Sequence, residues 1–97
     1  MTKPMLYVDF NELLAPDLVL LSAADTKVDV QGRAIPLVDG LDVIVYMDDT
    51  DASSNVDNLI ATGVVERNRS SGWGTHVKWC CRIDENGIRH QSEFEAW

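Results

Sequence analysis

From Leu41 to Ile83 the chain is written largely in a two-residue period. Leu41, Val43, Val45 and Met47 fall on one side of an extended chain and Asp42, Ile44 and Tyr46 on the other; Leu59 to Arg67 and Val77 to Ile83 read the same way. Successive side chains of a strand point to opposite faces, whereas a helix would scatter these apolar positions around its axis. Polar clusters rich in turn formers separate the runs, so the chain predicts a succession of short strands. No stretch carries a long amphipathic helical pattern, and the expected fold class is all-β.

The N-terminal third follows suit. Leu6, Val8 and Phe10 alternate with Tyr7 and Asp9, which predicts a strand ending near Asn11-Glu12. The apolar run Leu18 to Leu21 reads as a buried strand rather than one helical turn. Lys27 to Val30 and Arg33 to Ile35 flank Gln31-Gly32, a tight-turn signal that predicts a small hairpin; Pro36, with no N–H to donate, confines its second arm to an edge or a strand end. Within the run 59–67, Gly63 marks a bulge or a close approach of backbone.

The C-terminal third predicts a second hairpin. Val77, Trp79, Cys81 and Ile83 share one face, with His76, Lys78, Cys80 and Arg82 on the other; Asp84 to Gly87 is the turn, and the return strand carries Ile88, His90, Ser92 and Phe94. Directly opposed residues lie on one face, so Ile83 should oppose Ile88 or His90 and not Arg89. In that register His90 joins the Trp79/Cys81 face while His76 joins Cys80, which divides the soft metal ligands between two faces.

With 97 residues, a second core is not expected, and residues 1–97 read as a single domain. A small barrel would remove sheet edges from so short a chain. Gly40 to Tyr46, then Ala61 to Glu66, then Val77-Lys78-Trp79 resemble the strand order of SH3-like small β-barrels, including uncharacterised bacterial ones, over residues 37–92, with the N-terminal strands as additions. The resemblance implies a barrel that hosts adaptors, nucleic-acid binders and enzyme subunits alike. In its peptide-binding form an aromatic groove takes polyproline; Tyr46 and Trp73 would supply at most two members of that groove, so a polyproline ligand is not expected.

Charge narrows the partners. The chain carries 16 acidic and 8 basic side chains, net −8, without the basic footprint that nucleic-acid binding needs. The excess is regional: residues 1–63 hold 11 acidic and 3 basic side chains, residues 64–97 five of each. Asp9, Glu12, Pro16 and Asp17 interrupt any secretory core in the first twenty positions, and no apolar run reaches membrane length, so a cytoplasmic protein is expected. Adjacent Cys80 and Cys81 are expected as reduced thiols, since a bridge between strand neighbours would be strained.

Candidate sites follow from this layout. Asp49, Asp51 and Asp57 place carboxylates at odd positions of an oxygen-rich loop, as a calcium loop would, but Ser54 and Ile60 stand where such a loop has its glycine and its bidentate glutamate. Metal and cofactor are therefore expected to be none. Trp73, between Gly72 and Gly74, either presents its indole to a partner or closes the end of the barrel, and Trp97 poses the same choice. Lys78, Arg82 and Arg89 would line the outer face of the last hairpin, a surface for an acidic partner or an ordinary solvated face. Ile44, Tyr46, Ile60 and Val64 form an apolar second face that is either covered by the N-terminal strands or joins two copies in a homodimer. Without a catalytic motif, no enzymatic activity is expected. The expected function is that of a protein-interaction or accessory module. The alternatives are an acidic decoy that inhibits a nucleic-acid-binding protein and a small-molecule or ion-binding protein.

Overall fold

The structure is a computed structural model that describes residues 3–49, 53–54, 56–69, 72 and 75–94. The strands are β1 (Met5–Tyr7), β2 (Leu13–Ala15), β3 (Leu18–Ser22), β4 (Thr26–Val28), β5 (Ala34–Pro36), β6 (Asp42–Met47), β7 (Leu59–Arg67), β8 (Trp79–Ile83) and β9 (Arg89–His90), followed by one helical turn, α1 (Gln91–Phe94). Seven of them make one sheet in the order β1-β6-β7-β8-β3-β2, with β9 beside β7; β4 and β5 pair separately. All pairs are antiparallel except β1 with β6.

The all-β expectation holds, whereas the barrel does not close. β1 and β2, the terminal strands of the sheet, are not paired with each other. The chain between them is spent on a turn, in which Asp9 accepts from the N–H groups of Asn11 and Glu12, and the Glu12 carbonyl then accepts from Leu20 and extends the β2–β3 ladder instead. β2 is also short and shifts register between Leu13 and Ala15, which ends pairing.

The two-residue period buries one face. Val43 and Val45 of β6, Ala61 and Val65 of β7, Val19 and Leu21 of β3, and Trp79, Cys81 and Ile83 of β8 form the main core with Leu6, Val8 and Phe10. Leu37 and Ile35 of the β4–β5 unit pack on it. A second cluster on the other side of β3 and β8 joins Leu20, Val77 and Cys80, flanked by Leu14 and Leu18. Cys80 keeps its expected face, opposite Cys81, and only the placement of Val77 is corrected. Cys80 is buried because Leu20, its ladder partner, shares its face, and Val77 leaves the Trp79 face because regular pairing begins only at Trp79, where the β3–β8 ladder shifts register.

The last hairpin is also corrected. β8 and β9 both run antiparallel to β7, pairing Gly63 with Ile83 and Ile60 with Arg89, so they form one interrupted strand and Ile83 opposes neither Ile88 nor His90. Asp84 to Ile88 is an in-line excursion. Asp84 Oδ1 accepts from Asn86 N–H, the Asp84 carbonyl accepts from Gly87 N–H, and Gly87 takes the left-handed φ of 71° that returns the chain to its course. Thr62 Oγ1 donates to Asp84 Oδ2, and Asp84 N–H donates to the Thr62 carbonyl, which clamps the excursion to β7.

The β4–β5 hairpin forms as expected, around Asp29. Its carboxylate accepts from the N–H groups of Gln31 and Arg33 and from the Arg33 guanidinium at 3.1 Å. These bonds, led by Arg33 N–H, outweigh burial and hold the Asp29 carboxyl below the usual carboxylate range. A depressed carboxyl adds stability above its unfolded pKa, and that stability is lost as pH falls through the folded value. Asp29→Asn should therefore show a shallower fall in unfolding free energy between about pH 5 and pH 2 than the parent chain, measured by urea denaturation.

Gly63 is the close approach anticipated from the sequence. A Cβ there would fall inside contact distance of the Arg82 carbonyl oxygen and 2.6 Å from Cys81 Sγ, both held in the central ladder. Gly63→Ala is expected to cost about 2–3 kcal/mol by overpacking and to lower the melting temperature by roughly 10 °C or more in a thermal scan.

Candidate functional site

The carboxylates of the acidic loop turn toward the C-terminal segment. Asp57 accepts from Ser92 N–H and Ser92 Oγ, both at 2.9 Å, and Ser92 N–H is the main reason its carboxyl lies below the usual range. Asp49 Oδ2 stands 3.3 Å from His90 Nε2. Gln91 N–H donates to the Asn58 carbonyl, so the loop's exit and the turn α1 are laced together. Asp51 lies outside the described residues. Among the described residues no three His, Cys, Asp or Glu side chains come together as a metal site.

The side chains expected to form a basic face are paired within the chain. Arg82 reaches Asp17 at 3.0 Å and Glu66 at 2.9 Å, and the Glu66 bond, then Asp17, raises its pKa against a small burial cost. Lys78 Nζ sits 2.6 Å from Asp25, which also accepts from Trp79 Nε1; those two bonds hold the Asp25 carboxyl low. The Arg67 guanidinium lies 5.8 Å from the centre of the Trp79 ring, within range for a cation–π contact. Arg89 donates to the Asn86 carbonyl. Lys78 and Arg82 thus meet carboxylates from the acid-rich first part of the chain.

The apolar second face is organised by β1. Parallel pairing sets Met5 beside Ile44 and Tyr7 beside Tyr46, and the two tyrosine rings meet edge to face at 5.4 Å. Tyr7 remains 44% exposed, Ile44 and Tyr46 are half-buried, Val64 is exposed and Ile60 is buried. The N-terminal strand therefore widens this face at its edge instead of covering it. Asp42 and Asp48 are exposed and bracket Ile44 and Tyr46 along β6. Alternation alone places Tyr7 opposite the Leu6/Val8 face, but its partner Tyr46 lies far along the chain. Trp73 and Trp97 lie outside the described residues.

A cleft of about 400 Å³ is lined by Tyr7, Val8, Asp9, Glu12, Leu20 to Ala23, Lys27, His76 and Val77. A second cleft, of about 370 Å³, is lined by Asp48, Asp49, Val56 and Asn58.

The cysteines offer no activated nucleophile. Both are buried, and burial pushes the Cys81 thiol up to about 12, with Glu66 and Asp84 adding to the rise; burial raises Cys80 as well. The folded protein should show no thiolate absorbance step between about pH 5 and 9, and both thiols should react with a disulfide reagent only on unfolding.

Among the described residues no helix is long and apolar enough to cross a membrane. No family model, no curated protein and no solved structure matches the chain.

Proposed function

We propose that the domain is a protein-interaction or accessory module that receives a basic partner on the Tyr7/Tyr46 face. The observation that carries this reading is the edge-to-face tyrosine pair on the β1 edge, bracketed by the exposed carboxylates of Asp42 and Asp48. An aromatic centre with a charged rim is the usual anatomy of a binding hot spot. The rim selects sign: Asp42 and Asp48 are exposed and make no ion pair with a described residue, while Lys78 and Arg82 are engaged inside the chain. The partner is thus one with an apolar or aromatic anchor flanked by Lys or Arg. Two copies meeting through this face would set Asp42 and Asp48 near each other, so charge favours a different chain over a homodimer.

The decoy reading shares this basic partner and adds that the surface occupied is one that otherwise binds nucleic acid; the exposed carboxylates favour it. Buried, unbridged Cys80 and Cys81 fit a reducing cytoplasm. The SH3-like pattern of residues 37–92 fits an adaptor role, with the docking surface moved from a polyproline groove to the sheet edge.

Partner recovery on the immobilised domain is expected to fall steeply as salt rises and to drop roughly thirtyfold in Tyr7→Ala/Tyr46→Ala. Recovery that ignores salt, or that survives the double substitution, overturns the reading. Displacement of the recovered partner by a DNA duplex separates the decoy from the plain adaptor.

A further inference from the structure

Lys27 differs from Arg33, Lys78 and Arg82. Arg33, Lys78 and Arg82 each meet a carboxylate within 3.1 Å, whereas Lys27 Nζ has no carboxylate of a described residue within 4.0 Å. Its one protein partner among the described residues is the Leu21 carbonyl, at 3.1 Å. An ammonium has three donors, so two are left without a protein acceptor there. The side chain is half-buried, and that burial alone lowers its pKa. In a chain of net −8, this ammonium is kept from every described carboxylate and is partly withdrawn from water, so an outside anion would find both a donor and the opposite charge there.

Its surroundings say which anion. Lys27 lines the cleft of about 400 Å³ whose apolar part comes from Val8, Leu20, Leu21 and Val77, with His76 exposed at its border. Asp9 and Glu12 line the same cleft. The Asp9 carboxylate caps the turn by accepting from Asn11 N–H at 2.9 Å, and Glu12 is exposed. Two carboxylates close by repel a doubly charged phosphate more strongly than a singly charged group. The lining is apolar in part, which leaves a place for a short hydrocarbon body.

We infer that this cleft binds a small organic monocarboxylate, its carboxylate on Lys27 Nζ and its hydrocarbon body against Leu20, Leu21 and Val77. Tyr7 also lines this cleft, but the assignment stands whether or not the Tyr7/Tyr46 face binds a partner.

The experiment is a titration of the whole chain with hexanoate, followed by amide resonances in two-dimensional NMR. Hexanoate should bind in the millimolar range and shift Leu21, Lys27 and Val77 together. Hexanol, with the same body and no charge, should bind at least about tenfold more weakly to the unaltered protein, a comparison that needs no variant. Lys27→Met keeps most of the stem and removes the charge; with its amide spectrum still dispersed, it should weaken hexanoate by about tenfold or more, while Lys27→Arg retains binding. Equal affinity for hexanoate and hexanol, unchanged hexanoate binding in Lys27→Met, or the same shifts on adding hexylamine or inorganic phosphate overturns the assignment.

Discussion

β7 has to be hydrogen-bonded along both edges, and most of the molecule is arranged to meet that demand. Its nine residues pair with β6 over Leu59 to Val64 on one side, and with β8 over Gly63 to Arg67 and β9 over Leu59 to Ile60 on the other. A buried backbone group without a partner costs about 1–3 kcal/mol, so a strand buried at Ile60 to Gly63 and Val65 tolerates few gaps. The Asp84 excursion resolves the one interruption by returning the chain to the same edge, with Thr62 clamping it. Gly63 lets the ladder close without displacing the Arg82 carbonyl. Side-chain burial then supplies the driving force, roughly 1.5–3 kcal/mol for each fully buried Val or Leu.

The ion pairs have another role. Exposed pairs contribute little to stability, yet Asp17 and Asp25 cross from the acid-rich part of the chain to Arg82 and Lys78 on β8. Two of the eight excess negative charges of residues 1–63 are met at this seam, and what faces the solvent on β6 is acid around an aromatic centre. Lys27 escapes this pairing because it lies on β4, whose hairpin places its one buried carboxylate, Asp29, on Arg33.

What could be read from the sequence was local. Alternation located β6 and β7, Gln31-Gly32 located the β4–β5 turn, and Gly63 announced a tight contact, because each depends on residues within a few positions. Asn86-Gly87 misled for the same reason: a left-handed glycine after an Asx turn suits a reversal and an in-line excursion equally, and only distant β7 decides between them. Cys80 is buried by Leu20, Tyr7 is placed by Tyr46, and Lys27 meets the Leu21 carbonyl and no carboxylate of a described residue. None of these partners is a chain neighbour. The carboxylates of the acidic loop pointed to a cation when read in order, whereas in space Asp49 and Asp57 serve His90 and Ser92.

The parallel pairing of β1 with β6 sets an order of assembly. Met5 meets Ile44 only after the intervening strands and the β4–β5 hairpin have been laid down, and closing so long a loop carries an entropic cost that local hairpins avoid. During synthesis β1 waits, without its partner, for residues made much later. The β6–β7 hairpin can form from neighbours, but the tyrosine pair exists only once β1 has docked. The edge that would meet a partner thus waits for β6, while β3 on the far side of the sheet waits longer still, for β8.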